Sequence, residues 1–236
     1  MSATTTLSTH PLPVSSLRLD IFSQILLSIF TGEYPAGTRL KVQHLAKQYG
    51  VSSTPVREAI VELTGIGVVE LFPNRGAVVA PFGIPEIREM YHVRRILEVE
   101  SARCACDCSD LEEIRQLLAE TRHLQQATRD AQWTLLCSDI DKRTHTAIVN
   151  ASGIKRLKAE LNRYDRLMHM VRVLLKDSEL YLDQILEEHL QVLEALLRRD
   201  QAAAASAMAR HLEATCERAV EGIFVRGIDD SENIHP

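Results

Sequence analysis

A chain of 236 residues with 45% hydrophobic but only 5% aromatic content has length for one small and one medium domain. Their cores would be built from Leu, Ala and Val helices rather than from a β-sandwich. No apolar run approaches the roughly 18–20 residues of a membrane span, which excludes a helical membrane protein and a membrane partner.

The net charge of −5 looks wrong for a nucleic-acid binder until it is divided along the chain. Residues 1–80 hold six Lys and Arg against five Asp and Glu, so the acidity lies in the remainder. An N-terminal part this weakly basic has modest phosphate affinity per chain, and tight DNA binding would need a dimer.

Residues 1–16 are rich in Ser, Thr and Pro, lack the basic and apolar stretches of a secretion signal, and are expected to form a disordered tail. Leu17, Ile21, Ile25, Leu26 and Ile29 then recur at helical spacing, with Ser15 or Ser16 as the cap. A short helix follows Leu40, marked by Leu45 and Ala46. Gly50 supplies a left-handed turn residue. Ser52, Ser53 and Thr54 offer capping hydroxyls, and Pro55 suits the first turn of a new helix. That helix carries Val56, Ile60 and Leu63 inward and Arg57 outward.

A helix N-terminus dense in small hydroxyls, with an Arg one turn in, has the chemistry to enter a major groove. The hydroxyls and backbone N–H groups take phosphates, and the Arg reaches a guanine edge or a phosphate. Alone, the stretch is equally an ordinary helical hairpin. The flanks decide between the two. Val68 to Val79 forms two β-rich runs around Pro73-Asn74-Arg75-Gly76, a hairpin with a basic tip. Helix, helix-turn-helix and hairpin together make a winged helix over residues 17–81, and Pro81-Phe82-Gly83-Ile84-Pro85 marks its boundary.

From 85 to 226 no strand signal is evident. Helical runs at 85–107, 109–129, 131–151, 154–176, 179–199 and 201–222 predict an antiparallel all-α bundle of about six helices, so the fold class is mainly α. Ser109 and Asp110 would cap the second run, and Trp133, Leu136, Ile140, Ala147 and Ile148 would face inward from the third. Residues 227–236 read as a flexible tail. Cys104, Cys106 and Cys108 alternate in a way that fits no usual zinc pattern, and they are expected to be reduced thiols.

The informative residues of the bundle are polar ones on apolar stripes. Asp141 and His145, at i and i+4, place a carboxylate and an imidazole on one helix face. His189 lies in line with Leu182, Leu186, Leu193 and Leu196. His211 lies in line with Ala204, Met208 and Thr215. Any one of these histidines alone is more readily a packing residue. Together, from three helices, they could converge on a divalent cation. Imidazole with carboxylate suits Zn²⁺ first, with Ni²⁺, Mn²⁺ or Fe²⁺ as alternatives. Such a site could activate water as in a metal-dependent hydrolase. No general base or nucleophile motif accompanies it, so the chain is not expected to be an enzyme. Arg94 stands one turn from Tyr91 and Glu98, a spacing that fits an ion pair with Glu98 on the helix surface.

Asp20 to Pro81 resembles the DNA-binding domain of GntR-type bacterial transcription regulators. The matching residues are Pro35-Ala36-Gly37-Thr38-Arg39-Leu40, Leu45-Ala46, Val51 to Ala59, and Pro73 to Ala77. The family usually has Arg after the first Ser of the recognition helix. Ser53 stands there instead, which removes a potential base contact worth roughly 1–3 kcal/mol of discrimination. The family's usual operator core is therefore not assumed for this chain.

Residues 85–222 are similar to the FCD domain of the FadR-like branch. The matching stretches are Tyr91 to Glu98, Asp141 to Ile148, Asn150 to Gly153, Glu187 to His189, and Met208 to Leu212. About six helices point to the shorter, VanR-like version. Ile154 departs from the family where Asn is frequent. The resemblance implies that Asp141, His145, His189 and His211 hold a metal, and that Arg94 pairs with the carboxylate of a small organic acid. It further implies a cytoplasmic homodimer on an inverted-repeat operator of double-stranded DNA, more often repressor than activator. Arg39, Ser52, Ser53, Thr54, Arg57, Arg75 and Gly76 would contact the DNA. The alternative within this reading is a regulator whose metal is purely structural.

Overall fold

The computed structural model describes residues 14–175 and 179–225. The chain divides into two compact units, Met1–Pro81 and Phe82–Pro236.

The first unit contains α1 (Val14–Phe30), β1 (Arg39–Leu40), α2 (Val42–Gln48), α3 (Ser53–Gly65), β2 (Val69–Phe72) and β3 (Gly76–Val79). Ile21, Phe22, Ile25 and Leu26 recur along one side of α1 and are buried, as are Val56, Ile60 and Leu63 of the neighbouring α3. These residues, with Leu40 and Leu45, form the core on which the helix-turn-helix is mounted. Gly50 takes φ +66° at the turn between α2 and α3, a region that a branched side chain resists.

The strands form an antiparallel sheet in the order β1-β3-β2, with Arg39 opposite Val78 and Phe72 opposite Gly76. The wing turn places Asn74 and Gly76 at φ 64° and 76°. Asn tolerates that region because its short amide bonds locally, and Gly because it has no Cβ. α1 begins at Val14, so Ser15 and Ser16 lie inside its first turn rather than capping it. A hydroxyl caps only from the residue just outside the helix.

The second unit is built from α4 (Ile84–Ala105), α5 (Glu112–Gln126), α6 (Ala131–Ala151), α7 (Lys155–Leu175), α8 (Glu179–Leu197) and α9 (Gln201–Val225). α9 packs on α4 and α8, and α5 packs on α6 and α8. Ile114, Leu117, Trp133, Ile148, Leu186, Leu193, Leu196 and Met208 form part of one continuous buried cluster.

Three local expectations are corrected. α5 opens at Glu112, and its N–H is taken by Asp110 Oδ1 at 2.9 Å, so the cap signal sits later than Ser109. Leu136 is 44% exposed, because the buried stripe of α6 runs through Trp133, Cys137 and Ile140 and turns position 136 outward. α9 continues to Val225, three residues past the expected end. α6 begins where predicted, with Asp130 accepting from Trp133 N at 2.7 Å. Of the expected tails, residues 1–13 and 227–236 lie outside the described residues. Among the described residues, no helix is long and apolar enough to cross a membrane.

Candidate functional site

In the first unit, Ser52 is the N-cap of α3, yet its hydroxyl makes no capping bond. Ser52, Thr54 and Arg57 are exposed on the front of α3, whereas Ser53 is half-buried. Arg39, Arg75 and Gly76 are exposed at the wing. A Cβ built on Gly76 would stand 4.0 Å from Arg39 Nε, so β1 delivers the Arg39 guanidinium to the wing turn. The arrangement leaves a hydroxyl-lined helix start and a basic hairpin tip open to solvent.

In the second unit, α6, α8 and α9 bring Asp141, His145, His189 and His211 together. Each offers one ligand atom, and these atoms all lie within 4.8 Å of one another. All four residues are buried, His189 completely. His211 Nε2 faces His145 Nε2 at 3.2 Å. Asp141 Oδ1 lies 3.6 Å from His145 Nε2 and 3.4 Å from His189 Nε2. A tetrahedral zinc with bonds of about 2.0–2.1 Å separates its ligand atoms by about 3.3–3.4 Å, so these spacings fit.

The flanking carboxylates fix the chemistry of the two facing imidazoles. His145 Nδ1 bonds to Glu98 Oε2, and His211 Nδ1 bonds to Glu188 Oε2 at 2.8 Å. With Nδ1–H donating to a carboxylate, each ring turns its Nε2 lone pair toward the other. At 3.2 Å the two Nε2 atoms can share a proton as a hydrogen bond or take a metal ion between them. Burial pushes the His211 imidazole down to about 4 despite its bond to Glu188, so the ring is neutral near pH 7, as a metal ligand must be.

The carboxylates are held in turn by arginines. Arg94 Nε donates to Glu98 Oε1 at 2.5 Å, and Arg218 forks onto Glu188 at 2.8 and 2.7 Å. Burial alone would raise the Glu98 carboxyl, but Arg94 and His145 hold it well below the usual carboxylate range. Glu188 is lowered against the same penalty by Arg218 and His211. The Arg94–Glu98 pair expected on the helix surface is therefore buried, with 7% and 2% of the two side chains exposed.

A cleft of about 540 Å³, its open mouth included, reaches the centre. Arg94, Asp141, His145, His211 and Arg218 line it, together with Tyr91 and Tyr181. Sequence reasoning did not assign Glu98, Glu188 or Arg218 to this site. The signals were present: Glu98 at i+4 from Arg94, Glu188 beside His189, and Arg218 two turns from His211 on one face of α9.

Among the described residues, Cys104, Cys106 and Cys108 join no comparable gathering of ligands. The Cys104 thiol donates to Glu100 at 3.3 Å and the Cys108 thiol to the Asp110 carbonyl at 3.1 Å. Burial raises the Cys104 and Cys106 thiols, so they stay protonated.

Comparison with known proteins agrees with both halves. Residues 17–79 match the profile of bacterial regulatory proteins of the gntR family, and residues 89–214 match the FCD domain. The chain is similar to the HTH-type transcriptional regulator YdhC of Bacillus subtilis, with 26% identity over 84% of this chain and 89% of the relative. It is also similar to the HTH-type transcriptional repressor RspR of Escherichia coli, with 25% identity over 90% and 92% of the two chains. In fold it resembles the structure of McbR/YncC of E. coli, at a TM-score of 0.61 and 22% identity over 87% of this chain and 97% of that one. The chain thus belongs to the GntR family of bacterial regulatory proteins, carries an FCD domain after its winged helix, and is a DNA-binding transcription regulator rather than an enzyme.

Proposed function

We propose that this regulator is a cytoplasmic homodimer that represses transcription from an inverted-repeat operator and is released or altered by a small organic acid at a metal centre. Two-fold symmetry in a protein dimer implies two-fold symmetry in its site. Ser52, Ser53, Thr54 and Arg57 would contact bases and phosphates from α3. Arg39, Arg75 and Gly76 would reach phosphate or the minor groove from the wing. The six helices among the described residues of the second unit support a VanR-like reading.

One observation carries the sensor reading: two inward-facing imidazole nitrogens 3.2 Å apart, with the Asp141 carboxylate oxygen beside them. Asp141, His145, His189 and His211 would hold a divalent ion, zinc first and nickel, manganese or iron as alternatives. When bound, the ion supplies a fixed positive charge that anchors a carboxylate. Arg94, held in place by Glu98, stands on the same cleft wall and would orient that carboxylate through its planar guanidinium. Acid binding would shift the population between DNA-competent and DNA-incompetent dimers, with coupling of about 1–3 kcal/mol.

The burial of all four ligands favours a second reading, in which the metal is only structural. A thermal-shift screen of small carboxylates on metal-loaded and chelator-stripped protein separates the two. Ligand binding to the folded state raises the melting temperature by mass action. A shift seen only with metal supports the sensor, equal shifts in both samples support the structural metal, and no shift with any acid overturns acid sensing.

A further inference from the structure

The strands of the wing alternate their side chains between two faces. The register sets Leu40 opposite Ala77 and Val69 opposite Val79, and these four are buried on the inner face. The same register sets Arg39 and Glu70 opposite Val78, and Phe72 opposite Gly76. Arg39, Glu70, Phe72, Gly76 and Val78 therefore share the outer face, whereas Leu71 belongs to the inner one.

Phe72 is 43% exposed on that outer face. A single exposed apolar side chain is ordinary. Its neighbours are less so. β3 lies between β1 and β2, so Arg39 and Phe72 stand on opposite flanks of Gly76. Arg39 Nε comes within 4.0 Å of the place where a Gly76 Cβ would stand. The face thus offers a cation and an aromatic ring on either side of a bare glycine backbone. A DNA strand presents the matching alternation, an anionic phosphate followed by the apolar C–H surface of a deoxyribose.

Two further features place such a strand. Glu70 lies on the same face, farther from the turn, and its carboxylate repels phosphate toward the turn end. Pro73, Asn74 and Arg75 project ahead of Phe72, so the tip enters a groove first and the ring stays level with the groove wall. The N-terminal part also needs a source of affinity besides charge, since residues 1–80 hold six Lys and Arg against five Asp and Glu.

Building on the reading of the wing as a DNA contact, we infer that Phe72 packs on the deoxyribose next to the phosphate that pairs with Arg39. The outer face of the wing then grips one backbone strand through an apolar contact as well as a charged one. An apolar contact releases no counterion, so it supplies affinity that salt does not remove. It touches sugar rather than base edges, so it is blind to sequence.

The test is titration of the full chain, at several salt concentrations, with a double-stranded promoter fragment and with an unrelated duplex. Phe72→Ala is expected to weaken binding to both by about tenfold and to leave the salt dependence unchanged. Arg39→Gln is expected to lower the salt dependence by about one counterion. Phe72→Trp keeps a ring on the face and reports on it directly. The chain's own tryptophan, Trp133, is buried in the second unit, and the unsubstituted chain gives its background. Saturating DNA should change the emission of the Phe72→Trp variant beyond that background.

Unchanged affinity in Phe72→Ala, a loss confined to one of the two duplexes, or a fall in salt dependence equal to that of Arg39→Gln overturns the inference and leaves the charged contacts of the wing standing. Emission of the Phe72→Trp variant that bound DNA does not alter does the same, and it decides the matter if Phe72→Ala lowers the melting temperature. Failure of the unsubstituted chain to bind either duplex at low salt overturns the DNA reading of the wing and this inference with it.

Discussion

The two units treat polar side chains in opposite ways. Among the described residues of the winged helix, Ser28 is the one buried polar side chain, and the groups suited to DNA stand in solvent. The helical bundle buries Arg94, Glu98, Asp141, Thr144, His145, His189 and His211. A buried charge is tolerated only when it is paired or bound, so a core this rich in polar groups is stabilised by a network rather than by apolar packing alone. In the bundle, burial marks the candidate metal and effector residues. In the winged helix it marks the scaffold, and function lies in whatever the scaffold leaves uncovered.

The strongest way to break this contrast is His189→Ala. The side chain is fully buried and supplies one of four ligand atoms. Metal affinity should fall at least about 100-fold in competition with a chelator, and calorimetric heats from acids should vanish with it. Retained affinity for both would mean that the polar core is structural.

A pH series sharpens the same point. Burial lowers the His211 imidazole to about 4, against about 6.5 in the unfolded chain. Between those values the unfolded state binds the extra proton, so stability is complete above about 6.5 and is lost as pH falls toward 4. The lowered carboxyls of Glu98 and Glu188 act in the same direction at the acid end. Denaturant unfolding of stripped protein should lose roughly 2–3 kcal/mol between pH 7 and pH 4.5.

On the DNA side, Arg57→Ala should reduce binding to a promoter fragment by about 10- to 100-fold in a gel shift, in line with loss of one bidentate base contact. Its melting temperature should not move, because the side chain is exposed. Unfolding together with loss of binding would blur the distinction between the two units. The smallest effect is expected from Arg75→Ala at the wing tip. It should weaken binding about equally across sequences and lower the salt dependence by about one counterion, measured by titration at several salt concentrations.

Much of this was legible in the sequence, for different reasons in each unit. The winged helix followed from punctuation: Gly50, Pro55 and the Pro73-Asn74-Arg75-Gly76 turn each demand a particular backbone. The four candidate ligands were legible because i, i+4 spacing and apolar stripes place residues on helix faces, and the faces of α6, α8 and α9 do meet. Cap positions were less legible. Ser15, Ser16 and Ser109 have capping chemistry, but packing decides where a helix starts. Leu136 fell outside because Trp133 and Cys137 fix the rotation of α6. The Arg–Glu–His chains were not read, since Glu98 and Glu188 are ordinary helix residues until tertiary packing brings an imidazole against each.

The placement of the ligands along the chain also bears on the route by which the bundle forms. Asp141 and His145 are neighbours on α6 and come together as soon as that helix winds. His211 lies 66 residues from His145 and arrives only after a long loop closes. An ion caught early by the α6 pair would act as bait for α8 and α9, rewarding their docking before the apolar core is complete and offsetting part of the loop-closure entropy. Refolding followed by stopped-flow Trp133 fluorescence should then be faster with zinc than with a chelator. Equal rates would mean that the ion enters only a finished bundle, as a late guest rather than as an organiser of the fold.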